Sequence, residues 1–205
     1  MKRVFIEHIE SYLPDERISN DHVEERIRAG GFPIQTGLLE KMIGSETRYY
    51  AGKNEQASDL AVAAAKKIIE KIPNRKIDLL IFAAASGDLI EPATVNIVQQ
   101  KLGLTCPGFD LKNACNSVTN AIEIASALLL QGSYENILIV SGEKTSDSIK
   151  YTNLEKETIK DHLLDTKACL TTFKFSHAVP AFLYQPGKKG PRRRNASRLA
   201  TSHYL

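Results

Sequence analysis

Cysteine is scarce in this sequence, and long apolar runs are missing. Cys106, Cys115 and Cys169 are its three cysteines among 205 residues, an odd number with no C-x-x-C pair. That pattern argues against a disulfide framework and a structural zinc site, and leaves room for one reactive thiol. No apolar run approaches the roughly 18–20 residues that cross a bilayer. The start, Met1-Lys2-Arg3-Val4-Phe5-Ile6-Glu7-His8, is broken by charge too early for a secretory signal. A cytoplasmic protein with no membrane span and no metal is expected. Short-period repeats and a low-complexity core are missing too.

What is present is a globular composition, 42% apolar and 25% charged. The net charge of +3 is unevenly placed: Lys188, Lys189, Arg192, Arg193, Arg194 and Arg198 lie near the C-terminus, and without these six the chain carries −3. The basic balance therefore belongs to a tail, and no nucleic-acid partner is expected.

The pattern along the chain alternates. Residues 3–12 read as a strand, and Ser19 as the N-cap of a short helix running to about Arg28 and ended by Gly30-Gly31. Residues 34–42 suggest another short helix. From Gln56, Leu60, Ala61, Ala64, Ala65, Ile68 and Ile69 recur at helical spacing, opposite Lys66, Lys67 and Glu70. Residues 78–85 and 136–141 are nearly continuous apolar runs, which suits strands buried on both faces. Pro92 is placed at the first position of a helix carrying Val95, Val98 and Leu102 up to Gly103. Residues 107–114 read as a strand leading straight into Cys115, and residues 116–131 as a helix apolar nearly all round and buried. Residues 168–173 and 181–184 suggest two further strands. Together these give a mostly parallel α/β sheet covered by helices. One domain over residues 1–185 and a disordered basic tail over 186–205 are expected.

Cys115 falls between a strand and a helix. A helix N-terminus carries about half a positive charge and free backbone N–H groups. A thiolate there is stabilised, and the N–H groups can hold an oxyanion during acyl transfer. These are two requirements of a thioester-forming nucleophile. The competing reading is a small core cysteine, which is preferred for Cys106 and Cys169.

The run Phe109-Asp110-Leu111-Lys112-Asn113-Ala114-Cys115-Asn116-Ser117 resembles the nucleophile segment of the ketoacyl-acyl-carrier-protein synthase III family. Residues 79–86, Pro92-Ala93-Thr94, residues 99–103 and residues 137–144 occur in that family's order and spacing, as do Tyr12-Leu13-Pro14 and residues 44–51. The resemblance covers about residues 1–150. It implies the N-terminal half of a thiolase-like fold, with a buried central helix, in an enzyme that is usually a homodimer. It implies an acyltransferase-type condensing enzyme of fatty acid biosynthesis. Cys115 would take an acyl group from acyl-CoA or acyl-carrier protein before a Claisen condensation with a malonyl or second acyl thioester, with no metal or organic cofactor. The basic tail then gains a second reading, as a dock for an acidic carrier protein.

The same resemblance places Leu89, Ile90 and Glu91 in a loop that reaches a dimer partner and closes its acyl pocket. Glu91 is either a base in condensing two acyl chains or a charge at a helix start. Arg48 is read as a structural ion-pair residue, because Glu46 stands where the family has its arginine. The family's histidine and asparagine come from a second half, and His8, His22, His162, His177 and His203 match no such motif. A truncated product, or one subunit of a split enzyme, is therefore expected. The alternatives are a Cys-His hydrolase, a catalytically inactive partner subunit that assembles with an intact synthase, and a fragment without function. Acyl chain length and the choice between CoA and carrier protein are left open.

Overall fold

Two short apolar runs become the centre of the molecule, because each must be covered on both faces. The computed structural model describes residues 3–44, 46–144 and 179–186. The runs are β4 (Leu79–Ala83) and β6 (Ile137–Val140), and every residue in both is buried. They pair in parallel, and β4 pairs in parallel with β5 (Gly108–Leu111) on its other side. β7 (Val179–Pro186) runs antiparallel to β6 and to β1 (Val4–Tyr12), which completes a sheet ordered β1-β7-β6-β4-β5. The expected parallel sheet is thus its β6-β4-β5 part.

Side chains of a strand alternate between faces, and the core divides accordingly. Leu80, Phe82, Leu138 and Val140 pack with Leu60, Ala61, Ala64, Ala65 and Ile68 of α3 (Ala57–Ile69) and with Val95 and Val98 of α4 (Thr94–Leu102). Leu79, Ile81, Ala83, Ile137 and Ile139 pack with Ala121, Ala125 and Leu129 of α5 (Ser117–Gln131). Each fully buried Leu, Ile or Phe stabilises the fold by about 1.5–3 kcal/mol. A second, smaller cluster joins β2 (Glu16–Ser19), β3 (Thr47–Tyr50), α1 (Asn20–Ala29) and α2 (Leu38–Ile43) through Ile18, Val23, Ile27, Leu39 and Tyr50. The Ser19 hydroxyl caps α1 by accepting from His22 N–H, as its sequence position suggests.

Three expectations are corrected. Pro92 is not the first helical residue: α4 starts at Thr94 with Ala93 as its N-cap. The start is fixed by Asp110, whose carboxylate accepts from Thr94 N–H (2.9 Å) and Val95 N–H (2.7 Å). The strand before Cys115 stops at Leu111, and a single 3₁₀ turn, Ala114–Asn116, separates it from α5. Finally, among the described residues α5 is covered on one face only. Ser117, Ala121, Ala125 and Leu129 are buried, while Ile124 and Leu130 are 37% and 48% exposed. Its apolar composition exceeds what the sheet in this chain covers.

The suggested strand at 168–173 and the basic tail at 187–205 lie outside the described residues; the strand at 181–184 falls within β7. Among the described residues no helix is long and apolar enough to cross a membrane.

Candidate active site

The ends of three parallel strands bring three loops together. β4 leads into residues 84–93, β5 into residues 112–116 and β6 into residues 141–144. Crevices at the carboxyl ends of parallel strands are the usual ligand sites of α/β sheets. Cys115 lies here, on the middle residue of the 3₁₀ turn, and is exposed.

The turn has an unusual backbone. Ala114 has φ +46°, the left-handed region, and among the described residues it is the non-glycine residue that does so. Such a conformation costs about 1–3 kcal/mol unless its surroundings hold it. Here the buried Ser117 hydroxyl accepts from Asn113 N–H (2.8 Å) and donates to the Ala114 carbonyl (2.8 Å). Asn116 N–H also donates to the Asn113 carbonyl at 2.9 Å. The Asn120 side-chain oxygen accepts from the Asn113 amide (2.6 Å) and the Asn116 amide (3.4 Å). Among the described residues, no hydrogen bond or ion pair engages the Cys115 thiol itself, which leaves it free to meet a ligand.

The adjoining loops are tied down at their bases. Glu143, just past β6, accepts from Ala85 N–H, Ser86 N–H (3.1 Å) and the Ser86 hydroxyl (2.6 Å). The Asp88 carboxylate accepts from Ser58 N–H (2.9 Å), and Thr94 Oγ1 from Asp88 N–H (3.1 Å). Gly142 lets α3 approach β6: a Cβ there would meet the Ala57 carbonyl oxygen at 1.9 Å. The loop tip is free of these ties. Leu89 and Glu91 are exposed, and Ile90 is 99% exposed. The structure therefore places Leu89, Ile90 and Glu91 on one projecting tip, joined to α4 by the Glu91–Pro92 peptide, which is cis.

The remaining candidates separate. Burial pushes the Cys106 thiol above its ordinary value, and its carbonyl accepts from the Gln99 amide. It is half-buried against the α3–α4 core, which fits a packing role. Cys169, His162, His177 and His203 lie outside the described residues. His8 sits on β1, at the edge of the sheet opposite β5, and His22 on α1 of the smaller cluster. The hydrolase reading thus finds no histidine partner for Cys115 among the described residues. Arg48 is buried and donates to the Asn20 side-chain oxygen at 2.7 Å.

Asp110, Ser117, Gly142 and Glu143 are the site residues that sequence reading missed. Asp110, Gly142 and Glu143 act on backbone atoms distant in sequence. Ser117 alone had a local signal, a serine two residues past the cysteine.

Comparisons with known proteins find similar sequences and folds. The family model for 3-oxoacyl-(acyl-carrier-protein) synthase III matches residues 109–160. Beta-ketoacyl-(acyl-carrier-protein) synthase III of Neisseria meningitidis is 35% identical over 140 residues, 66% of this chain and 42% of the relative. The corresponding enzyme of Neisseria gonorrhoeae is 36% identical over the same shares. The chain thus spans under half the length of these relatives. Among solved structures, a cysteine-to-serine variant of Xanthomonas campestris OleA with bound lauric acid and lauroyl-CoA superposes with a TM-score of 0.74 at 25% identity, covering 89% of this chain and 56% of that one. FabH, the 3-oxoacyl-(acyl carrier protein) synthase III of Pseudomonas aeruginosa, gives 0.72 at 21% identity, covering 90% and 52%, and supports the fold.

Proposed function

Because this chain belongs to the beta-ketoacyl-(acyl-carrier-protein) synthase III family and corresponds to its N-terminal half, we propose that it captures an acyl group as a thioester on Cys115. The observation that carries this is the exposed Cys115, raised on a left-handed turn at the carboxyl end of β5. The Cys115 thiolate attacks the carbonyl carbon of an acyl thioester. A new C–S bond forms and the negative charge moves to the carbonyl oxygen. The oxyanion then collapses, the donor's C–S bond breaks, and the departing thiolate takes up the proton that Cys115 gave away.

Acyl-CoA or acyl-carrier protein is the proposed donor. The next step is a Claisen condensation with a malonyl or second acyl thioester in an assembly of two chains. The projecting Leu89-Ile90-Glu91 tip supports a role across that assembly, with Glu91 as the base. The test of Glu91 is its conversion to Gln in a chain completed by a C-terminal half; unchanged turnover removes the base role. The test of the acyl-acceptor reading is intact mass after exposure to acetyl-CoA or lauroyl-CoA. One acyl group should be gained, and none by Cys115→Ser.

A further inference from the structure

The hydroxyl of Ser117 spans the one left-handed alanine in the turn that presents Cys115. It accepts from the N–H on one side of that residue, that of Asn113, and donates to the carbonyl of Ala114 itself, both at 2.8 Å. Ser117 N–H donates to the same Ala114 carbonyl. Ser117 is 2% exposed, so water cannot readily replace either bond. Ala114 carries a Cβ and gains no ease from its residue type at φ +46°. The clamp is therefore what fixes the peptide that aims Cys115 outward.

We infer that Ser117 is a positioning residue for the Cys115 nucleophile, acting by holding Ala114 in its left-handed conformation. It has no contact with substrate in this account. Asn120 adds a second tie, on the exposed side, by gathering the Asn113 and Asn116 amides. Asn120 bears on side chains that flank the turn, whereas Ser117 bears on its backbone. This inference deepens the acyl-acceptor reading and rests on it for its catalytic meaning.

The experiment is a cycle of Ser117→Ala and Ala114→Gly in the full chain, singly and combined. The readouts are the rate of Cys115 alkylation by iodoacetamide across neutral and alkaline pH, peptide-mapped, and acyl transfer from lauroyl-CoA. Ser117→Ala should slow both reactions roughly tenfold or more and alter the pH profile of alkylation. A glycine tolerates positive φ without the clamp, so the loss should shrink toward nothing in the Ala114→Gly background. Parent-like rates in Ser117→Ala overturn the inference. An equal loss in both backgrounds overturns it as well, because Ser117 would then not act through Ala114. Should Ser117→Ala not fold, the double variant is compared with Ala114→Gly alone: equal rates support the clamp, and a slower or unfolded double variant overturns it. A parent that alkylates in this pattern yet accepts no acyl group removes the acyl-acceptor reading and leaves the positioning role standing.

Discussion

Glu143 and Ser86 are joined twice, by the Ser86 N–H at 3.1 Å and the Ser86 hydroxyl at 2.6 Å, so the end of β6 grips the start of the β4–α4 loop. The third donor is Ala85 N–H. One carboxylate thereby sets the base from which Leu89, Ile90 and Glu91 project. Glu143→Ala should cost about 1–3 kcal/mol, the range for losing charged hydrogen bonds. Hydrogen exchange at the Ala85 and Ser86 amides should accelerate well beyond the global change. Exchange that rises no more there than in β4 would mean the carboxylate does not hold the loop.

Asp110 does the corresponding work for α4. Its two oxygens accept from Thr94 and Val95 N–H, the free donors of the first helical turn. Asp110→Ala should lower unfolding free energy by about 0.5–2 kcal/mol, as other lost caps do. Denaturant melts would show it, and Asp110→Asn should recover part.

Gly142 is required by distance. A methyl group placed there meets the Ala57 carbonyl oxygen at 1.9 Å and the Ala57 carbonyl carbon at 2.8 Å, both backbone atoms that cannot swing aside. Gly142→Ala should cost about 3 kcal/mol or more by separating α3 from the sheet. A variant with the parent's melting temperature would contradict that packing.

Asp59 links stability to acid. Burial raises its pKa, but the hydrogen bond from Lys101 Nζ (2.6 Å) and the Gln56 N–H outweigh this, and the net shift is below the ordinary 3.8. A carboxyl whose folded pKa is lowered contributes stability that is fully present above its unfolded value and is lost as pH falls through the folded one. Asp59→Asn should therefore melt below the parent at neutral pH, and the two curves should converge below pH 3.8. A gap that persists in strong acid would assign the effect to packing instead.

The parts read correctly from sequence are those fixed by local pattern. β4 and β6 follow from unbroken apolar runs, α3 from helical spacing after Gln56, and α1 from the Ser19 cap. Cys115 was singled out because strand and helix patterns converge near it, and it lies on the 3₁₀ turn that follows β5. The errors share a cause, which is dependence on distant atoms. Pro92 looked like a first helical residue, yet Asp110, sixteen positions from Thr94, decides where α4 begins. The helix α5 is apolar enough to be enclosed, but composition alone cannot say how much of it this chain encloses. The left-handed Ala114 has a different cause: alanine gives no sign of positive φ, although its support, the Ser117 hydroxyl, is only three residues away.

The most direct measurement is peptide-mapped mass spectrometry after incubation with lauroyl-CoA, with iodoacetamide labelling run in parallel. The expected result is a lauroyl adduct on Cys115, none on the burial-raised thiol of Cys106, and loss of the adduct in Cys115→Ser. Cys115 that labels readily with iodoacetamide yet takes no acyl group from acetyl-CoA, lauroyl-CoA or acyl-carrier protein would contradict it.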